Sequence, residues 1–203
     1  WRQSTENRPG ADMRYIAAFS DTTIRNSPIP ITPASGHAGE MDTNTTPGQQ
    51  ALRTGRHSQP GQYYLITTVC HHREMRFSRW ACASRVAATI DNPHLWRDSH
   101  LLCCVLMPDH LHMMVELGEA ESLAALMRRV KCISAGVANA IDRRHGHVWM
   151  SGFHDHALRS EEGIVAAARY MILNPVRAGL APRAGDYPYW NCVWLEEGMA
   201  DWD

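Results

Sequence analysis

At 203 residues the chain has room for one sizeable domain with extra segments, and a make-up of 44% hydrophobic, 20% charged and 8% aromatic residues is that of a globular protein. No run approaches the roughly 18 apolar residues of a membrane span, and no charged-then-apolar secretory leader stands at the start, so the expectation is a cytoplasmic protein with no membrane partner. The net charge of −1 excludes nothing by itself, but residues 61–190 are mildly basic while 191–203 hold Glu196, Glu197, Asp201 and Asp203 and no Lys or Arg, a distribution compatible with a modest nucleic-acid footprint in the middle of the chain.

Residues 1–60 are rich in Pro, Thr, Asn and Gly, as in Ser27-Pro28-Ile29-Pro30 and Thr43-Asn44-Thr45-Thr46-Pro47-Gly48. They show neither helical nor strand periodicity, which predicts a disordered extension. From Gln62 the texture changes. Tyr63 to Cys70 is dense in β-branched and aromatic residues and reads as a strand. Residues 80–91 read as a short helix ended before Pro93. His100–Met107 reads as a buried strand, Pro108-Asp109 as a turn, and His110–Leu117 as the hairpin partner. The longest helix is expected over 121–144, with Leu123, Leu126, Val130, Ile133, Val137 and Ile141 forming one apolar stripe and Gly146 closing its end. Residues 148–158 look extended. A final helix, capped by Ser160, is expected to run to Asn174 and to stop at Pro175.

The first six elements follow the order of a ferredoxin-like split βαβ arrangement. The fold class is therefore α+β: an antiparallel sheet with helices on one face, to which a C-terminal helix is added. The domain is placed at 61–190, followed by an acidic tail at 191–203. The six cysteines, Cys70, Cys82, Cys103, Cys104, Cys132 and Cys192, contain no C-x-x-C pair and read as reduced thiols.

Two segments carry chemistry. In Met107-Pro108-Asp109-His110-Leu111-His112 the histidines are two apart on a strand, so their imidazoles share one face and can hold one divalent cation. The structural alternative is a pair of solvent-facing histidines. In Arg169-Tyr170-Met171-Ile172-Leu173-Asn174-Pro175-Val176-Arg177, Tyr170 and Asn174 are four apart and would share a helix face. Tyr170 offers a phenol oxygen and Asn174 an amide oxygen suited to a hard cation. Read alone, Tyr170 is as well a core aromatic, and Asn174 a residue before a helix-ending proline.

Taken in this order, the segments resemble the REP-associated tyrosine transposases, relatives of the small single-tyrosine insertion-sequence transposases within the HUH nucleases. The resemblance runs from about Tyr63 to Trp190. It rests on His110-Leu111-His112, on Ala168 to Leu180 with its A-R-Y-(four residues)-P-x-R-A-G-L form, and on Phe153-His154-Asp155-His156 within Trp149–Arg159. It implies a metal-dependent nuclease and strand transferase on single-stranded or hairpin DNA, with Tyr170 as nucleophile and a 5′-phosphotyrosine intermediate. It also implies Mg²⁺ or Mn²⁺ held by His110 and His112, with Asn174 as third ligand.

His154 and His156 are candidates for orienting those ligands or contacting phosphate, with a structural pair as the alternative. Arg128, Arg129, Lys131, Arg159, Arg169 and Arg177 are candidate DNA contacts, though each taken alone reads more readily as a solvated surface residue. No G-x-x-x-x-G-K-[ST] segment is present, so no nucleotide cofactor is expected. Monomer and homodimer both remain open. Two other classes compete: a catalytically silent hairpin-DNA-binding relative, and a zinc hydrolase or metal-binding regulator built on the histidines and cysteine.

Overall fold

The computed structural model describes residues 58–158 and 161–193. The expected N-terminal extension up to residue 57, the Ser160 cap, Arg159 and all but the start of the acidic tail lie outside the described residues.

Strand β1 (Tyr63–Val69) is followed by helix α1 (Trp80–Ile90) and the hairpin of β2 (His100–Leu106) and β3 (His110–Glu116). Helix α2 (Leu123–Asp142), strand β4 (His154–Leu158), helices α3 (Glu161–Ile172) and α4 (Asn174–Arg177), and strand β5 (Trp190–Cys192) complete the chain. The sheet order is β4-β1-β3-β2-β5, antiparallel throughout. The first four strands thus have the ferredoxin-like order expected from the sequence, with β3 in the middle.

Both faces of the sheet are covered, which explains why its strands read as continuous apolar runs rather than as a polar/apolar alternation. On one face Ile66, Leu111, Met113 and Val115 pack against Val86 and Ile90 of α1 and Leu126, Met127 and Val130 of α2. On the other, Val105, Met107 and Met114 pack against Ile164, Ala168, Met171 and Ile172 of α3. Alternation along β3 therefore sends Leu111, Met113 and Val115 to the first face and His110, His112 and Met114 to the second. The two histidines lie on the face that α3 covers.

Several boundaries differ from the sequence reading. The buried side of α2 follows Leu123, Leu126, Met127, Val130, Ser134 and Ala138, whereas Ile133 is 43% and Ile141 37% exposed. Ser134 displaces the expected stripe because the buried Trp149 indole N–H needs an acceptor and donates to Ser134 Oγ at 2.9 Å. The helix begins where Ser122 Oγ accepts from the Ala125 N–H and ends at Asp142. There Arg143, not Gly146, takes the first left-handed position at φ 50°. In the expected 148–158 strand only His154–Leu158 is paired as a strand, preceded by a single bridge from Trp149 to Cys70. Strand β5 was not anticipated; three residues give too short a run to show a period. Its neighbour Tyr187 donates its hydroxyl proton to the Leu106 carbonyl at 2.7 Å.

Gly118 marks the closest approach between the loops that flank the hairpin. A Cβ there would lie 2.4 Å from Asp98 Cγ and 2.6 Å from the Asp98 backbone carbon. The Asp98 carboxylate also accepts from the Ala120 N–H at 2.6 Å, so it has no free path of retreat. Gly118→Ala is expected to destabilise the domain by about 1–3 kcal/mol through overpacking. A urea midpoint unchanged from the parent would contradict this.

Among the described residues no helix is long and apolar enough to cross a membrane. Cys70, Cys82, Cys103, Cys104 and Cys192 are buried free thiols; burial is the main cause pushing Cys70 up to about 12 and Cys82 to about 11, so they act as small apolar side chains rather than nucleophiles.

Candidate functional site

The turn before β3 sets the histidines. Pro108-Asp109 reverses the chain, the Met107 N–H bonds the His110 carbonyl at 2.8 Å, and the Asp109 carbonyl accepts from the Cys70 N–H at 2.7 Å. His110 thus begins the central strand, and the turn is fastened to the end of β1. His110 is buried and His112 half-buried.

Each imidazole has one nitrogen occupied. His110 Nδ1 lies 2.5 Å from Asp109 Oδ1, and His112 Nδ1 lies 2.8 Å from Thr67 Oγ1, which β1 places directly opposite His112. The Asp109 carboxylate accepts, so the His110 proton sits on Nδ1, whereas the Thr67 hydroxyl can accept from His112 Nδ1 or donate to it. The two Nε2 atoms meet at 3.1 Å, a ring-to-ring hydrogen bond when His112 carries its proton on Nε2 and two facing lone pairs when it carries it on Nδ1. In the second arrangement the lone pairs repel unless something positive lies between or beside them.

A divalent cation meets that requirement. In an octahedral shell with bonds of about 2.1 Å, adjacent ligand atoms are about 3.0 Å apart, close to the separation seen here. The donor set therefore fits a metal. Among the described residues no group of three or more His, Cys, Asp and Glu side chains is arranged to hold one, so any further ligands would be amide oxygen, water or substrate.

Electrostatics keep the pair neutral on the His112 side. Burial first, then the nearby His110 and Arg177, push His112 from its ordinary 6.5 down to about 3. Burial alone would raise Asp109, but the hydrogen bond and charge of His110, with Arg73 at 3.3 Å, outweigh it and hold the carboxyl below its usual range. A lowered histidine pKa means that folding favours the neutral ring. That contribution is complete above about 6.5, the unfolded value, and is lost as pH falls from there toward 3. His112→Asn is accordingly expected to flatten the acid side of a plot of urea midpoint against pH between 6.5 and 4. An equally steep parent and variant would refute it.

The tyrosine segment departs from the expected single helix. Pro175 lacks the N–H that would bond Met171 and its ring crowds that carbonyl. Helix α3 therefore ends at Ile172, and α4 restarts at Asn174. Although four residues apart, Tyr170 is 57% exposed and Asn174 is 5% exposed, so they do not share an environment. Arg177 joins them instead. Its guanidinium carbon stands 3.8 Å from the Tyr170 ring centroid, and Nη2 donates to Asn174 Oδ1 at 2.5 Å and to the Tyr170 carbonyl. Arg177 also depresses His112, so the tyrosine and histidine segments are electrostatic neighbours.

The remaining candidates separate by face. In β4, His154 pairs with Thr67 and His156 with Leu65. Direct cross-strand partners share a face, so both histidines lie on the His110/His112 side, exposed, with His154 in line with Thr67 and His112. Two strand spacings, about 9–10 Å, separate the His154 and His112 backbones. Arg128 is exposed on α2. Arg129 is tied to Glu121 and, at 2.9 Å, to the Leu95 carbonyl, while Lys131 donates to the Gly152 carbonyl at 3.0 Å. All three belong to the helix covering the opposite face. Arg169 is exposed on α3.

Asp109, Thr67 and Arg73 were missed as site residues. Asp109 had a signal, a carboxylate adjacent to a metal-type histidine, but its turn-forming role masked it. Thr67 required the β1–β3 register, and Arg73 a left-handed turn at φ 53°. Neither is written in local sequence.

A comparison with curated proteins finds no match. Among solved structures, the chain is similar to one described as the REP-associated tyrosine transposase bound to a REP hairpin: identity is 18% and the TM-score 0.51, covering 66% of this chain and 79% of that one. It is also matched to a candidate transposase from Deinococcus radiodurans R1 at 15% identity and a TM-score of 0.38, covering 57% of this chain and 92% of that one. The first likeness shows a shared fold. The family model described as "Transposase IS200 like" matches residues 58–168, more than half of the chain, including both histidines and ending just before Tyr170. On that match, with the fold and the histidine pair that accompany it, the chain belongs to the IS200-like transposase family.

Proposed function

We infer that this transposase-family protein is a metal-dependent single-stranded DNA endonuclease and strand transferase, acting through Tyr170 on hairpin-forming DNA. The observation that carries the reading is the convergence of the His110 and His112 Nε2 atoms at 3.1 Å on the sheet face covered by the tyrosine's own helix.

His110, His112 and an amide oxygen from Asn174 would hold Mg²⁺ or Mn²⁺, a choice in which the imidazoles tolerate the ion and the oxygens favour a hard one. That ion would neutralise charge on the scissile phosphate and position it. Asp109 and Thr67 fix the rings with Nε2 inward. Tyr170 Oη attacks phosphorus and loses its proton; the Tyr–O–P bond forms as the P–O3′ bond breaks, and the 3′ oxygen leaves as a hydroxyl after taking a proton. The covalent link retains the phosphodiester energy, so rejoining needs only a returning 3′-hydroxyl and no nucleotide. Arg177, beside both the Tyr170 ring and His112, is suited to the phosphate oxygens once it lets go of Asn174. Packing of α3 on the sheet of its own chain supports a site complete in one protomer. The structural neighbour's REP hairpin is what suggests hairpin DNA as substrate.

A second reading, a catalytically silent hairpin-DNA-binding relative, draws on Asn174, whose oxygen is committed to Arg177. One experiment separates them. Labelled hairpin DNA with single-stranded flanks is incubated with the protein and Mn²⁺ and run on a denaturing gel. A labelled band at protein mass supports the enzyme; retention on a native gel without such a band supports the binder.

A further inference from the structure

Beside the histidine pair, one end of the sheet gathers positive charge and exposed rings that the reaction described above does not use. Three segments meet there. The Cys70 N–H bonds Asp109, the His71 N–H bonds the Val148 carbonyl at 2.8 Å, and the Met150 N–H bonds the Val69 carbonyl at 2.9 Å. The turn after β1 is thereby joined to the loop after α2.

From His110 the surface continues through Asp109 to Arg73 at 3.3 Å. Next to it His71 lies 3.9 Å from the His72 ring and 5.5 Å from the His147 ring, centroid to centroid. Arg143 and Arg144 stand exposed at the end of α2. Arg79 bonds Asp142 at 3.0 Å, and the adjoining Trp80 is 52% exposed.

The carboxylates here are already neutralised. Asp142 is held between Arg76 at 3.1 Å and Arg79, Glu74 is paired with Arg144 at 3.3 Å, and Asp109 is shared by His110 and Arg73. The five arginines outnumber these three acids before any histidine is counted, in a chain whose net charge is −1. His72, Arg73 and Arg143 all sit at positive φ, 50–54°. That conformation is costly for residues with a side chain, and it clusters at functional positions.

Cations interleaved with exposed planar rings suit single-stranded nucleic acid: the charges follow phosphates while the rings stack with unpaired bases. A duplex would hide its bases and leave Trp80 without a partner. We propose that the track from Arg73 through His71 and His147 to Arg143, Arg144 and Trp80 binds the single-stranded DNA flank adjoining the scissile phosphate. This rests on the proposed function, since it assigns a path to the substrate of that same site.

The test uses the full chain and a fluorescent oligonucleotide with a long unpaired flank, its counterpart with the flank made duplex, and one truncated at the scissile position. Arg143→Ala/Arg144→Ala is expected to weaken binding of the long unpaired flank about tenfold and to reduce the slope of log affinity against log salt by about 1.4, two phosphate contacts on a single strand. Trp80→Ala is expected to cost about fivefold or more on the unpaired flank and nothing on the duplex one. The truncated oligonucleotide should bind all variants alike. Parent-like affinity and salt slope in variants with unchanged Tm would overturn the track, as would equal losses on duplex and unpaired flanks. Covalent adduct formation is read separately in the same samples. Its absence in the parent removes the proposed enzyme while selective binding losses still uphold the track; its presence with no binding loss does the reverse.

Discussion

Tyr170→Phe is expected to abolish the covalent protein–DNA adduct while leaving hairpin binding within about twofold of the parent. The substitution removes one oxygen. The ring stays, and so does its contact with the Arg177 guanidinium, because that attraction comes from the π face and not from the hydroxyl. With Tyr170 57% exposed, no buried hydrogen bond is lost. Stability should therefore remain within about 0.5 kcal/mol, the usual range for surface changes. Cleavage, by contrast, loses its nucleophile, and a fall on the order of 10³ or more is expected, down to whatever water can achieve in the same site. The separation of the two effects carries the argument. An adduct that persists in the phenylalanine variant would mean another residue attacks, and the assignment of Tyr170 would be withdrawn.

The second large effect is on the metal. His112→Ala should lower cleavage by about 10²–10³ and weaken Mn²⁺ binding, followed by titration calorimetry, by at least tenfold. Adding a chelator to the parent should give the same loss, reversed by excess Mg²⁺ or Mn²⁺. His110→Ala should match it in activity but cost more stability, because it strips Asp109 of the imidazole that bonds it at 2.5 Å, leaving Arg73 alone to compensate a partly buried carboxylate. His112→Gln would not rescue the metal, since its amide has no ring nitrogen and cannot bond Thr67 while presenting a nitrogen lone pair to the ion in the same geometry. Cleavage that proceeds undiminished in chelator would remove the metal from the reaction.

Much of this was written in the chain. The hairpin of β2 and β3, the helix over 80–90 and the strand order of a split βαβ unit follow from apolar runs punctuated by Pro93 and Pro108, which act locally. The histidine pair on one strand face was legible too, because a period of two leaves no choice. What failed had non-local causes. Ile133 and Ile141 satisfy helical spacing, yet the buried face of α2 turned toward Ser134, whose value lies in a bond to Trp149, distant in sequence. Tyr170 and Asn174 satisfied the i, i+4 rule, yet the proline that was expected only to end the helix also divided it between them. Arg128, Arg129 and Lys131 are candidate DNA contacts in the sequence, and the layering of the fold puts all three on the helix that covers the opposite face of the sheet from the histidine pair. Asp109 was read for its turn alone, when the same side chain also sets the His110 ring.

The position of β3 has one more consequence. It is the middle strand of five, hydrogen-bonded along both edges, and it carries both histidines. Backbone opening in a sheet starts at its margins, where amides are least protected, and reaches the centre last. The histidine pair is therefore expected to come apart last, with the centre of the sheet, whereas the Tyr170 side chain is exposed on a helix that a proline break separates from the next. Of the two halves of the proposed reactive centre, the histidine half is thereby tied to the lifetime of the entire fold.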